Sequence, residues 1–217
     1  MIKAILFDLD GVLIKTELET FRFYQDYLQK NHNIELPDSS FKYKYGRKSK
    51  DFFHDVLTEE QKNIVDVGKL TAIKRELFDR EIDRFVSRVE GVDELLRWLR
   101  SKNYKLALCS QNERQMIDRV INWLGVGKYF DFTLSLQDIT EKKPKPEIYL
   151  KAAQKLKTTP NQCLVIEDSQ DGVRAAKNAG MICVGIAHDY TPEGYLAEAD
   201  HIVHSLTAIE GVLSRLN

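Results

Sequence analysis

Residues 1–12 read MIKAILFDLDGV. The apolar run over 2–9 is short, carries a carboxylate at Asp8, and meets a second carboxylate at Asp10 before Gly11. A run of this length bounded by a glycine reads as a buried strand leading into a turn. It is too short and too acidic for a signal peptide, and nowhere in the 217 residues do about 18 apolar residues follow one another as a membrane span requires. The sequence therefore predicts a soluble, cytoplasmic protein.

Beyond Thr16 the pattern changes. Residues 17–88 are rich in charge and show helical spacing, with Leu18, Phe21, Tyr24 and Leu28 on one face and Leu70, Ile73, Leu77 and Phe78 on another. No strand pattern stands out there, so a small all-helical unit is expected. From Gly91 strands and helices alternate. Helices are expected over 92–102, 113–123, 172–178 and 206–216, with another opened by Pro146. Strands are expected over 105–109, 130–136, 163–167, 181–186 and 201–203. This rhythm predicts an α/β, Rossmann-like doubly wound parallel sheet with helices on both faces. The Rossmann-like core is assigned to 1–15 and 89–217, and a small helical unit inserted after the first strand to 16–88.

Ligands of such a sheet bind beyond the carboxyl ends of the strands. Those ends present Asp8 and Asp10 from the first strand, Ser110, Gln111 and Asn112 after Cys109, and Glu167, Asp168 and Ser169 after the strand at 163–167. Lys142-Lys143-Pro144-Lys145-Pro146 lies between them in sequence. Two unit charges about 4 Å apart repel by roughly 4 kcal/mol at an effective dielectric of 20. Converging carboxylates therefore call for a cation, and an all-oxygen set beside a phosphate suits Mg²⁺. A lysine charge and a serine hydroxyl would complete a phosphate pocket.

Four segments together resemble the haloacid dehalogenase superfamily. FDLDGVLIKTE resembles its nucleophile motif, LALCSQN its second motif, KKPKPEIY its lysine motif and VIEDSQDGVRAAKNAG its acidic motif. They occur in the family's order over residues 4–180. The nearest branch contains beta-phosphoglucomutase and small sugar-phosphate phosphatases, with a helical cap after the first motif. The resemblance implies that Asp8 attacks phosphorus and that Asp10 acts as acid and base. It implies Mg²⁺ held by Asp8, the Asp10 carbonyl and Asp168, with Glu167 supporting directly or through water. Ser110, Gln111 and Lys143 would bind the phosphoryl group. Lys143 is preferred over Lys142 and Lys145 for its place before Pro144. In the cap, Thr16, Thr20, Gly46, Arg47 and Lys48 fall where substrate is selected.

Plainer readings stand beside these. Asp8 and Asp10 could cap a turn, Ser110 could cap the helix after it, and the basic run 41–50 could be a solvated loop. A formal net charge of −1 argues against nucleic acid or an anionic membrane as partner. Three cysteines, all within apolar runs, predict reduced buried thiols. The five histidines show no metal-ligand spacing. The mutases carry a histidine where this chain has Thr20, and Lys15 departs from the usual acidic residue; both lean toward a phosphatase. Dehalogenation is disfavoured because dehalogenases lack the second aspartate. The expected partner is a small phosphate ester, with the chain a monomer. A phosphomutase and a non-catalytic phosphate-binding module remain the alternatives.

Overall fold

A computed structural model of the chain describes residues 1–44 and 49–217. The elements run β1 (Ala4–Phe7), β2 (Ile14–Lys15), α1 (Glu17–His32), α2 (Ser49–Val56), α3 (Glu59–Ile64), α4 (Val67–Arg80), β3 (Ser87–Arg88), α5 (Val92–Ser101) and β4 (Lys105–Cys109). They continue with α6 (Arg114–Leu124), β5 (Phe132–Leu134), α7 (Glu147–Lys155), β6 (Cys163–Glu167), α8 (Gln170–Asn178), β7 (Ile182–Ile186), β8 (His201–Val203) and α9 (Ile209–Leu216). Two compact units emerge, one of Met1–Ile14 with Arg88–Asn217, the other of Lys15–Ser87.

The first unit is built on a six-stranded sheet of order β5-β4-β1-β6-β7-β8 in which every pair is parallel. β1 sits between β4 and β6, and all four of its residues are buried. A central parallel strand covered on both faces has no polar side, which is why its sequence is continuously apolar. Ala4 and Leu6 join Ala107, Cys109, Cys163 and Val165 in one core layer with Ile148, Ala152, Val173 and Ala176 of α7 and α8. By strand alternation Ile5 and Phe7 serve the opposite face, where α5, α6 and α9 carry their own buried stripes. The fold is the doubly wound α/β class that the alternating sequence predicts.

Local chemistry sets where elements stop. Ser169 keeps an extended backbone and its hydroxyl accepts from Gly172 N (3.1 Å), so α8 begins directly after the acidic pair. The expected strand over 130–136 is confined to Phe132–Leu134, because a Ser135–Asp138 capping box starts a 3-10 turn there. Likewise the helix expected from 206 opens as a 3-10 turn and becomes α-helical at Ile209.

In the second unit, Phe21, Tyr24, Phe52 and Phe53 form an aromatic core between α1 and α2. Lys44, in the basic run, is buried and ion-paired with Glu17 rather than solvated. β2 and β3 form a two-stranded sheet where the chain leaves and rejoins the first unit, so the end of the 17–88 region holds strand residues that its sequence did not announce. Among the described residues, no helix is long and apolar enough to cross a membrane. Cys109, Cys163 and Cys183 are free, buried thiols.

Candidate active site

Parallel register brings the acidic strand ends together. Phe7 pairs with Ile166 of β6 and with Leu108 of β4, and Asp8 N donates to Ile166 O (3.0 Å). The chain order reverses at the β1–β6 boundary, the switch point where doubly wound sheets bind ligands. Asp8 leaves β1 there beside Glu167 and Asp168 leaving β6, with Ser110 beyond β4 on the other side.

Lys143 enters this cluster from the loop before α7. Its Nζ donates to Asp8 Oδ1 (2.5 Å), Glu167 Oε1 (2.6 Å) and Cys109 O (3.3 Å), and its side chain is only 5% exposed. Lys142 and Lys145 are exposed. Glu167 is fully buried and saturated with donors: Lys143 Nζ and Tyr149 Oη (2.6 Å) on Oε1, and Asp168 N, Ser169 N and Ser169 Oγ on Oε2. Buried charge is tolerated only when so compensated. Gly172 makes the fit possible, since a Cβ there would lie 1.9 Å from the Glu167 carboxyl carbon.

Electrostatics divides the two carboxylates. Burial pushes the Asp8 carboxyl up to about 7, with repulsion from Glu167 and Asp10 adding to it while Lys143 pulls the other way. Burial also acts to raise Glu167, but Lys143 and its hydrogen bonds outweigh that and hold it below its usual value. For Lys143, burial disfavours the ammonium, and the charges of Asp8 and Glu167 more than compensate. Burial and then the Glu167 charge keep the Tyr149 phenol protonated. Asp8 is thus the carboxylate in need of a further positive charge near neutral pH.

Asp8, Glu167 and Asp168 each offer a carboxylate oxygen, all within 4.8 Å of one another. A hard, all-oxygen donor set fits a divalent cation such as Mg²⁺ or Ca²⁺. Gly11 closes the cluster from the side. Its φ is +70°, and an added Cβ would stand 1.8 Å from Asp168 Oδ2. Only glycine combines that backbone with so close an approach.

The other residues singled out from sequence lie on different segments. Ser110 is buried, and its Oγ accepts from Asn112 N (3.2 Å). Gln111 Nε2 is buried with no hydrogen-bond partner among the described residues. Thr16 precedes α1, and Thr20 is buried on α1, both in the Lys15–Ser87 unit. Gly46, Arg47 and Lys48 lie outside the described residues.

Two residues of the site, Tyr149 and His188, carry no expectation from the sequence, and Asn112, named there only as part of a strand end, gains a partner. Tyr149 contacts Glu167, Asn112 Nδ2 donates to Asp10 Oδ2 (2.5 Å), and His188 Nε2 donates to Gly11 O (2.7 Å). Asn112 and His188 both follow the carboxyl ends of strands, so the rule that found Ser110 also reaches them. His188 has no metal-ligand spacing to mark it in the sequence.

Comparison with known proteins places this geometry in a lineage. The family model described as haloacid dehalogenase-like hydrolase matches residues 5–186. The chain is 31% identical over 214 residues to a validoxylamine A 7'-phosphate phosphatase of Streptomyces hygroscopicus subsp. limoneus, covering 96% of each. It is 30% identical to a phosphorylated carbohydrates phosphatase of Thermotoga maritima, covering 91% of each. The crystal structure of a beta-phosphoglucomutase from Clostridium difficile superposes with a TM-score of 0.70 at 26% identity, covering 99% of this chain and 97% of that one. With its motif-bearing core matched throughout, the chain belongs to the haloacid dehalogenase-like hydrolase family.

Proposed function

We propose that the protein is a Mg²⁺-dependent phosphatase that hydrolyses a small phosphorylated metabolite, a sugar phosphate by preference, through an aspartyl-phosphate on Asp8. The observation that carries the reading is the buried Asp8–Lys143–Glu167 chain of contacts at the sheet's switch point, with Asp168 alongside. Relatives named as phosphatases of phosphorylated carbohydrates and of validoxylamine A 7'-phosphate support the substrate class.

In the first half-reaction an Asp8 carboxylate oxygen bonds to phosphorus as the ester P–O bond breaks. The leaving oxygen takes a proton from Asp10. In the second, water attacks phosphorus and gives a proton back to the Asp10 carboxylate, while the Asp8–phosphorus bond breaks to release inorganic phosphate. This divides one difficult displacement into two easier ones. Mg²⁺, held by Asp8, Asp168 and the Asp10 carbonyl, would neutralise charge between the anionic nucleophile and the anionic phosphate. Glu167 holds Lys143 in place and lends its charge to the metal site, its oxygens fixed by five donors. Lys143 and Ser110 bind phosphoryl oxygens. The orphan amide of Gln111 supports a ligand oxygen nearby, since a buried donor without an acceptor is costly. The Lys15–Ser87 unit, with Thr16, Thr20 and the 46–48 segment, serves as the specificity cap. Buried free thiols support a reducing compartment, the cytoplasm.

A panel of phosphorylated sugars, nucleotides and amino acids tests the reading. Phosphate release should require Mg²⁺ and vanish in Asp8→Asn. Release by Asp8→Asn at the wild-type rate overturns the mechanism. Similarity to beta-phosphoglucomutases keeps the mutase as second reading. Turnover of glucose 1-phosphate that depends on glucose 1,6-bisphosphate would favour it.

A further inference from the structure

Asp10 must exchange protons with a reacting oxygen, yet it stands on the turn beyond β1 and not on the strand itself. Two side chains from other strand exits grip that turn. From the segment after β4, Asn112 Nδ2 donates to Asp10 Oδ2 (2.5 Å). Asn112 is itself tied down, its backbone N donating to Ser110 Oγ (3.2 Å) and its carbonyl accepting from Leu136 N (3.0 Å). An amide N–H is a donor that neither gives up nor accepts a proton near neutral pH, so it orients the carboxyl without competing for the catalytic proton.

From the segment after β7, His188 Nε2 reaches Gly11 O (2.7 Å). A carbonyl only accepts, so Nε2 carries the hydrogen. The His188 backbone N donates to Thr191 Oγ1 (2.8 Å), and the ring stacks on Tyr190, with centroids 5.2 Å apart and planes at 22°. On its remaining side Gly11 abuts Asp168. The Gly11 N–H donates within the turn to Ile14 O (2.7 Å). The turn is therefore fixed at the Asp10 carboxyl, at the Gly11 amide and at the Gly11 carbonyl.

We propose that Asn112 and His188 are positioning residues, which together hold the Asp10–Gly11 turn so that Asp10 meets the leaving-group oxygen. The proposal rests on the acid–base role given to Asp10 above. An acid matters most when the leaving group is poor, so losing its alignment steepens the dependence of rate on leaving group. Loss of general fold integrity lowers all rates alike.

The test measures kcat/KM, which reports the step that forms the phospho-enzyme, across aryl phosphates from phenyl to 4-nitrophenyl phosphate. Asn112→Leu and His188→Phe should lose about tenfold or more on phenyl phosphate and under about threefold on 4-nitrophenyl phosphate. His188→Gln, which returns an amide N–H near the Nε2 position, should recover most of the loss, whereas the phenylalanine retains only the stacking. Equal losses on both substrates, no loss on either, or a glutamine variant no better than phenylalanine each overturn the proposal. Asp10→Asn is the reference. If it leaves the leaving-group dependence unchanged, the acid–base reading fails and the positioning role falls with it. If Asp10→Asn steepens the dependence while the other variants do not, the positioning role alone is refuted.

Discussion

Replacing Gly11 by alanine strikes the site through one methyl group. The backbone there has φ +70°, and the left-handed conformation costs an L-residue roughly 1–2 kcal/mol. The methyl would stand 1.8 Å from Asp168 Oδ2 and 2.1 Å from its carboxyl carbon. Ordinary carbon–oxygen approach is about 3.3 Å, so either the turn or the carboxylate must yield by ~1.5 Å. A misplacement of about 1 Å in catalytic geometry costs on the order of 100-fold. Gly11→Ala should therefore lower kcat/KM on 4-nitrophenyl phosphate by about 100-fold or more, and weaken Mg²⁺ binding measured by calorimetry. At about 2–4 °C per kcal/mol for a chain of this size, the backbone strain alone lowers the unfolding midpoint by roughly 2–8 °C. Gly125 supplies the control, because it has the same φ of +70° and nothing within 4 Å of an added Cβ. Gly125→Ala should lose similar stability while keeping activity. Wild-type kcat/KM and Mg²⁺ affinity in Gly11→Ala would refute the reasoning, as would an equal activity loss in Gly125→Ala.

Other outcomes follow from the same geometry. Burial pushes Asp8 up to about 7, so below that pH a metal binding its carboxylate must displace a proton. The Mg²⁺ dissociation constant should therefore weaken by up to about tenfold per pH unit as pH falls below 7, and level off above it; calorimetry showing no change from pH 8 to 5 contradicts this. Gly172→Ala would put a methyl 1.9 Å from the Glu167 carboxyl carbon and drive that buried charge off its donors. A loss of about 3–5 kcal/mol in denaturant unfolding is expected, and unchanged stability would show that the carboxylate can relocate. Gln111→Leu removes a buried amide that has no partner among the described residues. It should raise KM for the preferred metabolite while leaving the unfolding midpoint within about 2 °C, and a large stability loss with unchanged KM would make Gln111 structural.

Much of the core is readable in the chain itself because the strands of a buried parallel sheet are continuously apolar. Each run ends where a polar residue appears, as with Phe7 before Asp8 and Cys109 before Ser110. Such strand ends mark the switch-point crevice without knowledge of the register. The sequence prefers Lys143 over Lys142 and Lys145 only for its place before Pro144; the structure adds the contact itself, Lys143 reaching Asp8 while the other two lysines are exposed. The saturation of Glu167 was also hidden, because Tyr149 Oη comes from the helix that follows the lysine loop and the Ser169 contacts depend on the α8 cap. The short strand at Ser87–Arg88 carries no alternation to read, its two residues being set by their pairing with Ile14–Lys15. His188 follows the β7 exit, where the strand-end rule points, but its contact with Gly11 spans 177 residues and depends on how that exit folds back.

The central claim is that Asp8 carries the phosphoryl group during turnover. Its most direct test is acid quenching of the enzyme during steady turnover of 4-nitrophenyl phosphate with Mg²⁺, followed by mass spectrometry of the peptide that contains residues 4–14. The account predicts a phosphoryl mass increment on Asp8 that is lost on treatment with hydroxylamine and absent from Asp8→Asn. Wild-type turnover with no such increment, or an Asp8→Asn protein that still releases phosphate at the wild-type rate, would contradict it.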